Sequence, residues 1–127
     1  MVVKTGMPIE DLDTPALLLD RAAMERNLLR MAEFFRGRRA QLRPHFKNHK
    51  TTQLARRQLA AGSAVGITCA KLGEAEVLVD AGIEDILIAN QVVGPAKAAR
   101  LAALAGRAGI RVAVDHIDQV VPIARAA

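Results

Sequence analysis

Residues 42–51 read Leu-Arg-Pro-His-Phe-Lys-Asn-His-Lys-Thr, which sets a lysine between two histidines and just after an arginine. Written as a β-strand, the segment sorts its side chains by period two. Leu42, Pro44 and Phe46 share one face, and Arg43, His45, Lys47 and His49 share the other. The apolar face can pack against helices. The basic face needs partners or a ligand, because buried cations are costly alone. A lysine at a strand's carboxyl end keeps a flexible stem. Nearby positive charge or desolvation favours its neutral amine, the form that attacks a carbonyl. Arg43 and His45 are placed to supply that influence on Lys47. The plainer alternative is a surface lysine whose charge sits in water.

The spacing His45-x-x-x-His49 also raises a metal site, since two histidines four apart on a helix share one face. Pro44 and the alternation argue for a strand instead. Four strand residues span roughly 13 Å, too far for one coordination shell. Phe46 also stands where a zinc-protease helix carries its glutamate. No metal ligand is therefore assigned; His45 is expected beside Lys47, and His49 is expected to orient the turn. Asn90, Gln91, Asp115 and His116 follow expected strand ends, where capping serves as well as chemistry. Cys69 sits in an apolar strand and reads as a small core residue. Glu74 and Glu76 suit the start of a helix. The sequence has no GxGxxG, Walker A or GxSxG pattern, and so no glycine-rich phosphate loop.

The elements that must position these residues recur as strand then helix. Strands are predicted over 15–19, 41–47, 64–69, 85–89 and 111–115. Asp20 caps a helix whose stripe is Met24, Leu28, Met31 and Phe35. Thr51 caps the next, which Gly62 ends. A third helix runs over 72–81. A fourth starts near Pro95, a first-turn residue, with Ala98, Leu101, Ala102 and Ala105 on its apolar face. A fifth begins near Asp118. This alternation predicts an α/β fold with a parallel sheet. An open doubly wound sheet and a (β/α)8 barrel compete. A barrel takes about 250 residues, so about five βα units match its N-terminal part.

The 127 residues suffice for one modest domain, and 51% hydrophobic content is ordinary for a globular one. The net charge of +5 would admit an anionic partner. The arginines fall mostly on helix faces, however, and three phenylalanines with no Tyr or Trp make no base-stacking platform, so nucleic acid is not expected. No apolar run reaches membrane-span length, and residues 1–6 lack the apolar core of a signal peptide. The single cysteine points to a reducing, cytoplasmic setting.

Two stretches carry a family resemblance. Asp13-Thr14-Pro15-Ala16-Leu17-Leu18-Leu19-Asp20 resembles the opening strand of the D-threonine aldolase and D-serine dehydratase family. Arg43-Pro44-His45-Phe46-Lys47-Asn48-His49-Lys50 resembles its RPHxKxHK signature. Gly66 to Cys69, Gly73 to Glu76 and Val92 to Lys97 add to the likeness, which runs from about Leu12 onward. The resemblance implies an alanine-racemase-like, fold-type III pyridoxal 5'-phosphate enzyme: a (β/α)8 barrel followed by a mostly β domain. Residues 1–127 would then be part of the cofactor-binding barrel, a truncated product or fragment, with the remainder outside the chain. It implies cofactor attachment at Lys47 rather than Lys50, with His45 and Arg43 around it. It implies D-configured β-hydroxy amino acids as substrates, and retro-aldol cleavage to glycine and an aldehyde. Elimination of the D-serine dehydratase kind is the alternative, as is a non-catalytic cofactor-binding protein or an inactive fragment. Ala70 stands where many relatives carry a cofactor-contacting glutamine. The phosphate cup and the divalent-metal ligands of relatives have no counterparts assigned here. A homodimer of the complete form is compatible with the resemblance.

Overall fold

Apolar runs bounded by turn residues form the strands, and apolar stripes with caps form the helices. The computed structural model describes residues 4–127. Five α-helices alternate with strands: α1 (Arg21–Phe35), α2 (Thr52–Ala60), α3 (Leu72–Asp80), α4 (Pro95–Ala105) and α5 (Ile117–Ala126). Three strands, β1 (Ile67–Cys69), β2 (Asp85–Ile88) and β3 (Gly109–Val112), form one parallel sheet in the order β1-β2-β3. Residues 42–45 run alongside β1 and join it through two parallel bridges, Leu42 to Ala64 and His45 to Thr68. This is the βα alternation expected of the N-terminal part of a (β/α)8 barrel.

Register fixes two faces. Ile67 pairs with Ile86 and Cys69 with Ile88, and all four are buried. They meet Leu72, Ala75, Leu78 and Val79 of α3 and Leu101 and Leu104 of α4 in one core, which Phe46 and Ala55 join from the other side. α5 lies against α4 and adds Ile123. The opposite face carries Arg43, His45, Thr68, Asp85, Leu87 and Arg111, since strand side chains alternate.

Several expectations hold. Asp20 caps α1 by accepting from the Ala23 N–H at 2.9 Å. Pro95 opens α4. Gly62 follows α2 at φ +95°, a conformation side chains rarely adopt.

Others are corrected. Residues 15–19 are extended but join no ladder among the described residues, and Leu17 is fully exposed at 105%. An apolar run becomes a strand only when an edge in register accepts it. The strand expected over 111–115 begins two residues earlier, at Gly109, where the Gly109 N–H donates to the Glu84 carbonyl at 2.7 Å. In α4 the buried residue of the last turn is Leu104, and Ala105 is exposed. In α1 Ala32 is buried, whereas Met31 is 44% exposed.

Candidate active site

In place of the strand expected over 41–47 the structure has an extended segment, 42–45, held by two isolated bridges and ending earlier than the alternation predicts. The Thr68 N–H donates to the Pro44 carbonyl at 2.8 Å, and the bridge at His45 is the last of the pairing. Phe46–Asn48 then form a single 3-10 turn. Phe46, 3% exposed, anchors that turn in the core. Lys47 therefore lies in the turn just past the strand's carboxyl end, not on the strand. Its side chain is exposed and makes no hydrogen bond or ion pair among the described residues. In parallel α/β sheets that end is where ligands gather.

His45 stands beside it. Its Nδ1 accepts from the Lys47 backbone N–H at 3.2 Å. Burial chiefly, and then the Lys47 charge, push the His45 imidazole below its ordinary range, while Glu74 opposes them. An accepting Nδ1 leaves the proton on Nε2. His49 is fixed by three contacts. Its Nδ1 accepts from the Thr51 N–H at 3.2 Å, its Nε2 lies 3.1 Å from Gln58 Oε1, and its ring meets Phe46 edge-on at 5.6 Å. The expectation that Thr51 caps α2 through its hydroxyl is corrected. That hydroxyl donates to Gln53 Oε1 at 2.6 Å instead.

The expectation that Arg43 acts beside Lys47 is also corrected. The Arg43 guanidinium crosses the strand next to it and reaches Asp85, with Nη1 at 2.7 Å from Oδ1 and Nη2 at 3.3 Å from Oδ2. Arg111 reaches the same carboxylate. Asp85 opens β2, so this cluster lies at the amino end of the sheet, opposite to Lys47. Gly66 makes the crossing feasible. A Cβ there would overlap Arg43 Nη1 and the Asp85 carbonyl oxygen and lie 3.0 Å from Arg43 Cζ. The Arg43 hydrogen bond holds the Asp85 carboxyl below the usual carboxylate range, against burial, with Arg111 adding to the effect.

The loop residues fasten rather than gather. Asn90 Nδ2 donates to the Ala70 carbonyl at 3.2 Å, and Gln91 Nε2 donates to Asp115 Oδ2 at 2.8 Å. His116 caps α5 by accepting from the Asp118 N–H at 3.2 Å. Glu74 Oε2 accepts from the Ala70 N–H at 2.8 Å, which ties the end of β1 to the first turn of α3. Cys69 is fully buried, and burial first, then the Glu74 charge, raise its thiol to about 11. Asp85, Gly66 and Gln58 escaped the sequence reading. Their roles depend on which strand or helix lies next to which, although an arginine on a polar strand face is itself a signal to look for a carboxylate across the sheet.

The sequence matches the alanine racemase N-terminal domain over residues 19–127. The chain belongs to that family. As a member of the alanine racemase N-terminal domain family, it is 47% identical over 121 residues to the D-threonine aldolase of an Arthrobacter species, covering 95% of this chain and 32% of that protein. The crystal structure of D-threonine aldolase from Filomicrobium marinum superposes with a TM-score of 0.93 at 50% identity, over 98% of this chain and 33% of the other. The D-threo-3-hydroxyaspartate dehydratase from Delftia sp. HT23 superposes with a TM-score of 0.80 at 37% identity, over 91% of this chain and 30% of the other. The chain thus spans about a third of the length of the curated relatives it matches. Family membership accords with the parallel βα architecture. No helix among the described residues is long and apolar enough to cross a membrane.

Proposed function

We propose that the complete protein is a pyridoxal 5'-phosphate-dependent lyase that cleaves D-configured β-hydroxy amino acids to glycine and an aldehyde. The observation that carries this reading is the Lys47 amine. It is exposed, free of side-chain partners among the described residues, and set in the turn after a parallel strand's carboxyl end. A primary amine there fits a cofactor that bears an aldehyde, because imine formation needs an unhindered nitrogen. The cofactor, when bound, supplies the electron withdrawal that labilises bonds at Cα.

The chain's own residues take distinct parts. Lys47 is the attachment point. His45 presents a neutral imidazole next to it and holds the Lys47 N–H through Nδ1. Arg43 acts at a distance, fixing the amino end of the sheet through Asp85. On this reading the rest of the barrel, a β domain, the phosphate contacts and the divalent-metal ligands would come from outside the third of the relatives' length that the chain matches. A reducing cytoplasm suits the buried free thiol of Cys69. Aldol cleavage is preferred to dehydration because the aldolase structure superposes more closely, with a TM-score of 0.93 against 0.80.

The test is reduction of the full-length protein with borohydride in the presence of pyridoxal 5'-phosphate, followed by peptide mapping. Label on Lys47, and its loss in Lys47→Ala, is the expected result. Label elsewhere sinks the assignment. With D-threonine, glycine and acetaldehyde in equal amounts support the aldolase. A keto acid with ammonia supports the dehydratase, and no product from any D-amino acid leaves a cofactor-binding protein without turnover.

A further inference from the structure

His49 has no part in the chemistry above, yet it is the most heavily fastened side chain near Lys47. The Thr51 N–H can only donate, so His49 Nδ1 must carry its lone pair and Nε2 its proton. That proton faces Gln58 Oε1 on α2, and the ring packs edge-on against the core residue Phe46. The same turn holds a second lysine. Lys50 has φ +51°, a conformation uncommon outside glycine. It is locked there on both sides, because its own N–H donates to the Phe46 carbonyl at 2.8 Å and the next N–H donates to His49. The exposed Lys50 lines an open hollow of about 370 Å³ beside α3 together with Phe46, Lys71, Glu74 and Val77, to which Lys47 does not contribute.

We propose that His49 is a positioning residue for Lys47: as the Nε2–H tautomer it ties the turn to α2 and thereby decides which of the two lysines meets an incoming carbonyl. The proposal rests on Lys47 being the attachment point. Without the imidazole, the Thr51 N–H and Gln58 lose their partner and the left-handed backbone at Lys50 loses one of its two locks. The turn then relaxes, and the backbone positions from which Lys47 and Lys50 project are no longer fixed relative to one another.

The experiment uses the full-length protein. Borohydride trapping of pyridoxal 5'-phosphate is followed in time and the label is mapped to Lys47 or Lys50. In His49→Ala, trapping at Lys47 slows about tenfold, within the roughly hundredfold that a misplacement of about 1 Å can cost, and Lys50 gains label. His49→Asn recovers the site and part of the rate, to about the level of Gln58→Leu, because an asparagine oxygen also accepts from the N–H two residues on but lacks the Nε2–H that meets Gln58. Gln58→Leu, which leaves every atom of the turn in place, gives an intermediate slowing. Unchanged rate and site in His49→Ala, or no recovery in folded His49→Asn, overturns the proposal. If His49→Ala fails to fold, an unaltered Gln58→Leu overturns it. Nitrogen-15 imidazole spectra of the wild type give a readout free of the cofactor, and an Nδ1–H tautomer at His49 also refutes it. Label on neither lysine in the wild type defeats the attachment reading instead. Relative reactivity of Lys47 and Lys50 toward trinitrobenzenesulfonate in the cofactor-free protein then still decides whether His49 positions the turn.

Discussion

Gly66→Ala is the sharpest perturbation of the sheet. The added methyl meets two different obstacles. Arg43 Nη1 is the end of a flexible side chain and can withdraw, but doing so breaks its paired hydrogen bonds to Asp85. The Asp85 carbonyl oxygen belongs to the backbone of β2 and cannot withdraw without moving the strand. Overpacking of this kind costs about 1–3 kcal/mol. Hydrogen bonds to charged groups are worth about 1.5–3 kcal/mol, to be reduced here because solvent reaches the pair. The Asp85 side chain is 38% exposed and keeps Arg111 as a partner, which justifies taking the low end. The expected loss is about 2–4 kcal/mol, a urea midpoint lowered by about 1–2 M for a slope near 2 kcal/mol/M. A double-mutant cycle with Arg43→Met separates the two obstacles. With the guanidinium gone, Gly66→Ala costs less than it does alone, and what remains is the carbonyl contact. A Gly66→Ala protein within about 0.5 kcal/mol of wild type, the range of a neutral surface change, would refute the close-approach argument.

Three further outcomes follow from the same structure. Asp85 is held below its ordinary range, so the unfolded chain binds its proton more readily. The stabilisation from the Arg43–Asp85–Arg111 cluster is complete above about pH 4 and is lost as pH falls through the depressed native value. Urea midpoints measured across that window flatten in Asp85→Asn. Cys69, buried and raised to about 11, alkylates with iodoacetamide at neutral pH at least about a hundredfold more slowly in the native protein than in urea, as its thiolate is scarce; equal rates contradict the burial. Asp20→Ala removes the cap of α1 and lowers stability by about 1 kcal/mol, whereas Asp20→Ser keeps the oxygen and most of the stability.

The helices were legible because their signals are local. Asp20, Pro95 and Gly62 act within a turn of their own position, and the structure finds each at a helix boundary. The apolar strands were legible too, since Ile67, Ile86 and Ile88 have no use outside a core. What failed was tertiary. Residues 15–19 have strand composition but join no ladder among the described residues. Residues 42–45 follow the alternation, and it stops at His45 because Phe46 turns into the core instead of continuing the ladder. Arg43 was grouped with Lys47 by periodicity, and a carboxylate two strands away claimed it. Leu104 displaced Ala105 because 3.6 residues per turn shifts the buried stripe, and the larger side chain fills the remaining space. The turn that carries Lys47 was not legible, because it depends on where Phe46 finds the core.

The core that unites the sheet with its outer helices draws its members from Phe46 through Leu104 without a detour through distant sequence. Its sheet contacts join strands that follow one another in the chain, Ile67 with Ile86 and Ile86 with Ile110, so each closes only after a whole strand–helix–strand crossover is made. A layer held together by such parallel crossovers gains its cohesion from tertiary contacts, not from local ones. Through Phe46, which roots its turn in that core, the position of Lys47 depends on the packing of the whole layer and not on the turn alone.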